Sequence, residues 1–309
     1  MSSTDYKRKV KNFKKMKKVF GVIGDPIEHS LSPVMHNAAF SALNMDAIYL
    51  AFRVSPKDVG DAIKGAKSLG FIGLNVTIPL KERAILYVEP DEIASKIGAI
   101  NTIDFKNEPP RGYNTDGIAA LNVLESAVGS VKGKRVLILG AGGAAKAIAF
   151  YLASAGALVK IANRTVKRAA EIASKLENAS YTGLDNLERH IADADILVNA
   201  TSVGMYPKIE ETLVTAEMMH SDLVVFDIVY NPVETRLLKE AEKAGVKRRI
   251  DGVKMLVFQG AASFKIWTGI SPPLDVMESA VRKALQSANG KANSEAKSEA
   301  KSKESVLGR

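Results

Sequence analysis

The 309-residue chain contains no cysteine. That absence excludes a disulfide framework, a thiolate zinc site and a cysteine nucleophile, and nothing in it calls for an oxidising compartment. A cytoplasmic address is the resulting expectation. Histidine is scarce as well: the four present show no metal-ligand spacing, so no metal site is expected and His29 and His36 read as structural. Long apolar runs are also lacking, since none approaches the roughly 20 residues needed to cross a bilayer. No membrane is therefore expected as a partner. The formal charge of +9 is not spread over the chain, because residues 1–18 carry +7 and residues 288–309 carry +2, leaving the middle neutral. A nucleic-acid partner, which a basic folded surface would favour, is disfavoured. The opening segment lacks the apolar core of a signal peptide. Both ends read as extensions, 1–18 a basic arm and 288–309 a low-complexity, disordered tail.

What remains has globular proportions, with 46% hydrophobic and 25% charged residues, and enough length for two domains. From Val19 onward, short β-branched runs alternate with helical periods, a pattern expected of parallel sheets covered by helices. Val19–Ile23, Ala47–Val54 and Ile72–Val76 read as strands, with helices over Ser32–Leu43 and Asp58–Leu69. Ala99–Phe105 is strand-like and a turn follows at Glu108–Arg111. A second α/β unit starts near Lys134, with strands at Arg135–Leu139, Leu158–Ala162, Ile196–Asn199 and Leu223–Asp227. Helical stretches over about 254–267 and 274–285 finish the folded chain.

The strand Arg135–Leu139 runs straight into Gly140-Ala141-Gly142-Gly143-Ala144-Ala145 and then a helix. Glycines in that setting let the backbone turn tightly and approach a pyrophosphate, whose charge is received by the amides at a helix N-terminus. The end of the next strand selects the dinucleotide. An acid there would accept from the ribose hydroxyl of NAD, but this chain has Asn163-Arg164-Thr165, with Arg168 one helical turn on. Two guanidiniums and a hydroxyl, with no acid nearby in the sequence, match a phosphate. NADP is the expected cofactor.

The first unit carries polar clusters that its α/β pattern does not require. Ser30 and Ser32 sit before a helix, where a carboxylate would be received by backbone amides. Asn75 to Lys81 ends a strand with Thr77 and Lys81 four residues apart. Asn101-Thr102 and Asn114-Thr115-Asp116-Gly117 add carboxamides and a carboxylate at strand ends, the edge at which open α/β sheets bind ligands. Together with Gly98 to Thr102, Asn199 to Met205, Asp227 to Pro232, Asp251-Gly252 and Met255 to Gln259, these ordered motifs resemble the shikimate dehydrogenase family over about residues 19–285.

That resemblance implies a two-domain α/β enzyme with a small-molecule substrate. A substrate-binding domain would comprise 19–117 and 251–287, and a Rossmann-type NADP domain 118–250, with the last helices returning to the first domain. A homodimer is compatible with it. It implies that Ser30 and Ser32 hold the carboxylate of shikimate, and that Thr77, Lys81, Asn101, Asp116, Tyr230 and Gln259 meet the ring or its hydroxyls. Gly140, Ala141, Gly142, Gly143, Ala144, Asn163, Arg164, Thr165 and Arg168 would hold NADP. Thr201 and Met205 would lie beside the nicotinamide, as would Ile228 and Gly252 through their backbone. The implied reaction is reversible reduction of 3-dehydroshikimate, with Lys81 and Asp116 as a catalytic dyad and the proton on either member at each step. A dual quinate/shikimate dehydrogenase is the alternative within the class, and a non-catalytic NADP-binding redox sensor the alternative outside it.

Overall fold

The computed structural model describes residues 17–287. The basic arm, apart from Lys17 and Lys18, and the tail 288–309 lie outside the described residues. Two six-stranded sheets organise the chain. The first is built from β1 (Lys18–Gly24), β2 (Ala47–Arg53), β3 (Gly73–Val76), β4 (Glu89–Pro90), β5 (Thr102–Asp104) and β6 (Arg111–Tyr113), in the order β2-β1-β3-β5-β6-β4. Lys18, counted with the arm in the sequence, already pairs with Ala47 in β2.

Successive residues of β1 face opposite ways, as the two-residue repeat of a strand requires. Phe20 and Val22 join one core with Phe40 and Tyr49, whereas Ile23 joins another with Leu74 and Val76. Helix α1 (Ser32–Ala42) packs on the first face, and α2 (Val59–Ser68), α3 (Lys81–Ala84) and α4 (Glu92–Ile97) lie on the second.

This sheet departs from the expectation of parallel strands. β5 runs antiparallel to both β3 and β6. The turn around Glu108–Arg111 accounts for the β5–β6 pair, because a short link can join only antiparallel neighbours, whereas a parallel pair needs a crossover of a dozen residues or more.

The second sheet is parallel throughout, in the order β12-β11-β10-β7-β8-β9. Its strands are β7 (Arg135–Leu139), β8 (Leu158–Ala162), β9 (Ala179–Thr182), β10 (Ile196–Asn199), β11 (Val224–Asp227) and β12 (Arg248–Ile250). Read from the middle outward, this is the doubly wound order of a dinucleotide-binding fold, and its crevice opens where β7 and β10 send their connections to opposite faces. Helices α5 (Asp116–Val128), α6 (Gly143–Ser154) and α7 (Val166–Ala173) pack on one face, and α8 (Leu187–Ala192) and α9 (Arg236–Lys243) on the other. Gly117 is required where α5 meets α6, since a side chain there would strike Tyr151 and the Ala147 carbonyl.

After β12 the chain leaves this sheet. Helix α10 (Gly252–Thr268) starts beside it, capped by Asp251, whose side chain accepts from the Val253 N–H at 3.0 Å. It then runs onto the first sheet, where Phe264 and Trp267 enter the core of Phe20, Phe40 and Tyr49. The Trp267 indole donates to the Ile103 carbonyl at 2.9 Å. Helix α11, over 274–287, adds Met277, Val281 and Leu285 to the same core. Among the described residues no helix is long and apolar enough to cross a membrane.

Candidate active site

Two strand ends and two helix starts bring one cluster together. Lys81 is the first residue of α3 and Asp116 the first of α5. Lys81 Nζ lies 2.5 Å from Asp116 Oδ2, with the two side chains 14% and 6% exposed. The pair is therefore shielded from water without being sealed. Asn101, just before β5, donates from Nδ2 to the other oxygen, Asp116 Oδ1, at 2.8 Å. The same nitrogen is 3.3 Å from Gln259 Oε1 on α10, whose amide is held by the Leu256 carbonyl at 2.8 Å. Both carboxylate oxygens of Asp116 thus receive a donor.

The serines form a second group. Ser32 opens α1, and its N–H points at Ser30 Oγ at 3.4 Å. Tyr230 lies beside this loop at Leu31, and burial raises its phenol above the ordinary value. Thr77 follows β3, with its methyl against Gly24, and makes no side-chain hydrogen bond among the described residues. His36 lies outside the site: its ring is fully buried, stacked 4.3 Å from Tyr49, and burial lowers it to about 3. His29 meets Tyr206 edge-on at 5.4 Å, across the opening between the two sheets.

The nucleotide side is shaped by backbone. Gly140 ends β7 with φ of +110°, and a side chain there would come within 2.9 Å of the Ala200 carbonyl and 3.0 Å of the Thr201 methyl. Only glycine fits that turn. Ala141 is buried beneath it, whereas Gly142, Gly143 and Ala144 are partly open, and nothing stands in the space a Gly142 side chain would enter. This is a cradle suited to a pyrophosphate at the start of α6. The far side of Gly143 faces Lys81, whose Cβ would be 3.4 Å from a side chain at that position. The loop and the lysine are neighbours. Met205 is exposed beyond Thr201, and Gly252 packs so closely on Ile228 and Val229 that a side chain would collide with their carbonyls.

At the end of β8, Asn163 donates to the Thr165 carbonyl at 2.9 Å, and Arg164, Thr165 and Arg168 are exposed around it. Arg164 has no acidic partner among the described residues. Arg168 does have one nearby, in contrast to the sequence reading. Glu82, the neighbour of Lys81, places Oε1 at 2.9 Å from Lys146 Nζ on α6 and 3.9 Å from Arg168. An acid supplied by the other sheet's helices is invisible to local sequence.

Two further residues had no assigned role in the sequence and support Thr201 from below. Asn199 and Asp227 are register partners at the ends of β10 and β11. Asn199 Oδ1 accepts from Thr201 Oγ1 at 2.7 Å, and its amide donates to Asp227 Oδ1 at 2.9 Å. Asp227 also accepts from Thr235 Oγ1 at 2.6 Å and the Val229 N–H at 3.0 Å. Even so, burial raises its carboxyl to about 6. An acid raised on folding favours the protonated native state. Its contribution is complete below the unfolded value near 3.9 and is lost as pH climbs through about 6. Asp227→Asn removes that loss. Denaturant unfolding should show the variant gaining about 2 to 3 kcal/mol relative to wild type between pH 4 and pH 7. A difference independent of pH would refute the assignment.

Three family models match the chain in order. They are a shikimate dehydrogenase substrate binding domain over 22–103, a shikimate/quinate 5-dehydrogenase over 122–246, and a shikimate 5'-dehydrogenase C-terminal domain over 252–282. The NADP(+) shikimate dehydrogenase of Methanococcoides burtonii is 58% identical over 270 residues, covering 87% of this chain and 99% of that protein. Among solved structures, a shikimate dehydrogenase in complex with NADP+ aligns with a TM-score of 0.83 at 46% identity, over 87% of this chain and 96% of that one. The enzyme from Thermus thermophilus, in complex with NADP(H) and shikimate, aligns at 0.80 and 37% identity, over 87% of this chain and 100% of that one. Sequence, sheet order and three consecutive domain matches agree that this chain belongs to the shikimate dehydrogenase family.

Proposed function

We infer that the chain is an NADP-dependent oxidoreductase that reversibly reduces 3-dehydroshikimate to shikimate, a step of aromatic amino acid biosynthesis. The observation that carries this reading is the Lys81–Asp116 pair lying directly against Gly143 of the dinucleotide loop. A proton donor and a hydride carrier would then meet at one carbonyl, hydride going to its carbon and the proton to its oxygen.

NADPH, when bound along Gly140 to Ala144, supplies the hydride. The chain's residues do the rest. Ser30 and Ser32, with Tyr230 behind them, receive the substrate carboxylate at the start of α1. This anchors the ring with its carbonyl toward Lys81. As hydride arrives, the carbonyl oxygen becomes an alkoxide, and Lys81 Nζ donates the proton that completes the alcohol. Asp116 and Asn101 hold the ammonium group on target and meet a ring hydroxyl. In the reverse direction Lys81 takes the proton back. Thr201 and Met205 would flank the nicotinamide, and the backbone of Ile228 and Gly252 would lie beside it.

A spectrophotometric assay with shikimate and quinate, each with NADP and NAD, tests the reading. The shikimate–NADP pairing should be fastest. Comparable rates with quinate would instead support the dual-specificity enzyme, and no turnover in any pairing would leave the redox-sensor reading.

A further inference from the structure

Behind Asn101 the site continues as a polar chain through the core of the first sheet. Tyr49, on β2, is fully buried, and its hydroxyl donates to Asn75 Oδ1 at 2.7 Å. The Asn75 amide donates to the Asn101 carbonyl at 2.9 Å, Ser263 Oγ at 3.0 Å and Thr102 Oγ1 at 3.1 Å. Thr102 Oγ1 donates to Asn101 Oδ1 at 2.9 Å. Ser263, on α10, sits 2.7 Å from Thr102 Oγ1 and 3.0 Å from the Gln259 carbonyl, so its one hydrogen is shared between these two acceptors. At the opposite end, the Tyr49 hydroxyl lies close to Ser32. The hydrogen-bonded chain runs from Tyr49 to the Lys81 group.

Its direction is determined. A backbone N–H can only donate and a carboxylate can only accept. The Thr115 N–H reaches Asn101 Oδ1 at 2.9 Å, so the Asn101 nitrogen must face Asp116. Thr102 must then donate to Asn101 Oδ1, so Asn75 presents its nitrogen to Thr102 and its oxygen to the other side. Tyr49 supplies the donor that this oxygen needs. Removing one member leaves a buried polar group unsatisfied and lets the carboxamides turn.

We propose that Tyr49 and Ser263 are positioning residues for the reaction. They clamp Asn75 and Thr102, so that Asn101 keeps its nitrogen on Asp116 and Asp116 keeps Lys81 at the point of proton transfer. The proposal rests on the reading of Lys81 and Asp116 as the reacting pair.

The test is steady-state kinetics on the full chain carrying Tyr49→Phe, Ser263→Ala, both together, and Lys81→Ala, with rates normalised to sites that bind NADPH. Each single change in the chain should lower kcat about ten- to hundredfold, the scale of a small misplacement of a reacting group. The KM for NADP should stay at its wild-type value. Because the two residues act through the same pair of carboxamides, the double variant should lose no more than the worse single one. Wild-type kcat per NADPH-binding site in both single variants, with Lys81→Ala inactive, would overturn the proposal and leave the dyad standing. Multiplied losses in the double variant would also overturn it. Should Tyr49→Phe fail to fold, Ser263→Ala decides alone. Full activity in Lys81→Ala would instead bring down the dyad, and this inference with it.

Discussion

Lys81→Ala is expected to lower kcat by about two to four orders of magnitude, the usual span for loss of a general acid–base group. The KM for shikimate should move much less. A residue that only bound substrate would act alike on the ground state and the transition state, raising KM and sparing kcat. The geometry favours the first outcome. Lys81 is held end-on by a buried carboxylate at 2.5 Å rather than lying along the opening. Its neighbour across the gap is the loop assigned to the cofactor, not the serine loop assigned to the substrate carboxylate. Asp116→Ala should damage both parameters, because Asp116 is expected to meet a ring hydroxyl as well as to hold the lysine. Stopped-flow or steady-state absorbance at 340 nm reads both. A Lys81→Ala enzyme with wild-type kcat and a greatly raised KM would reduce Lys81 to a binding residue.

Replacing Arg164 and Arg168 with glutamine should weaken NADPH by about 3 kcal/mol, roughly two orders of magnitude in affinity, while leaving NADH nearly unchanged. The estimate takes two exposed, charge-assisted contacts to one phosphate at about 1.5 kcal/mol each. Arg164 should account for the larger part. It has no acidic partner among the described residues, whereas Arg168 already lies 3.9 Å from Glu82 and must give up part of that attraction to meet a phosphate. Fluorescence titration of both reduced cofactors measures the contrast. Equal losses for NADPH and NADH would show that the arginines act on something other than the 2'-phosphate.

The strands that were legible in the sequence are those with unbroken apolar runs, such as Ile196–Asn199, buried at every position. The edge strands β9 and β12 were not, because Ala179–Thr182 and Arg248–Ile250 are half exposed and alternate too briefly to register. The reversed direction of β5 was hidden for a different reason: the turn was visible, but pairing is a tertiary property. In the site, Lys81, Asp116 and the glycine loop stand at element ends, where motifs are conspicuous. Tyr49 and Ser263 lie inside a strand and inside a helix, looking like ordinary core positions. Their hydrogen bonds join segments 26 and 188 residues apart through Asn75, and no local pattern records that. Glu82 reads as a surface acid until the two sheets are brought together.

The path of the chain also bears on how the protein is made. The sheet that carries Lys81 begins the sequence, yet its core of Phe20, Phe40 and Tyr49 is closed by Phe264, Trp267 and Leu285 from the far end. The dinucleotide sheet and its helices lie wholly between. During synthesis the second sheet is therefore complete before the first, although the first emerges earlier. Until α10 and α11 leave the ribosome, Phe20, Phe40 and Tyr49 have only α1 to cover them on that face. Chains halted before residue 252 should contain all six strands of the second sheet, short of the Met255 and Phe258 side chains that its core takes from α10, attached to a first half still open on one face.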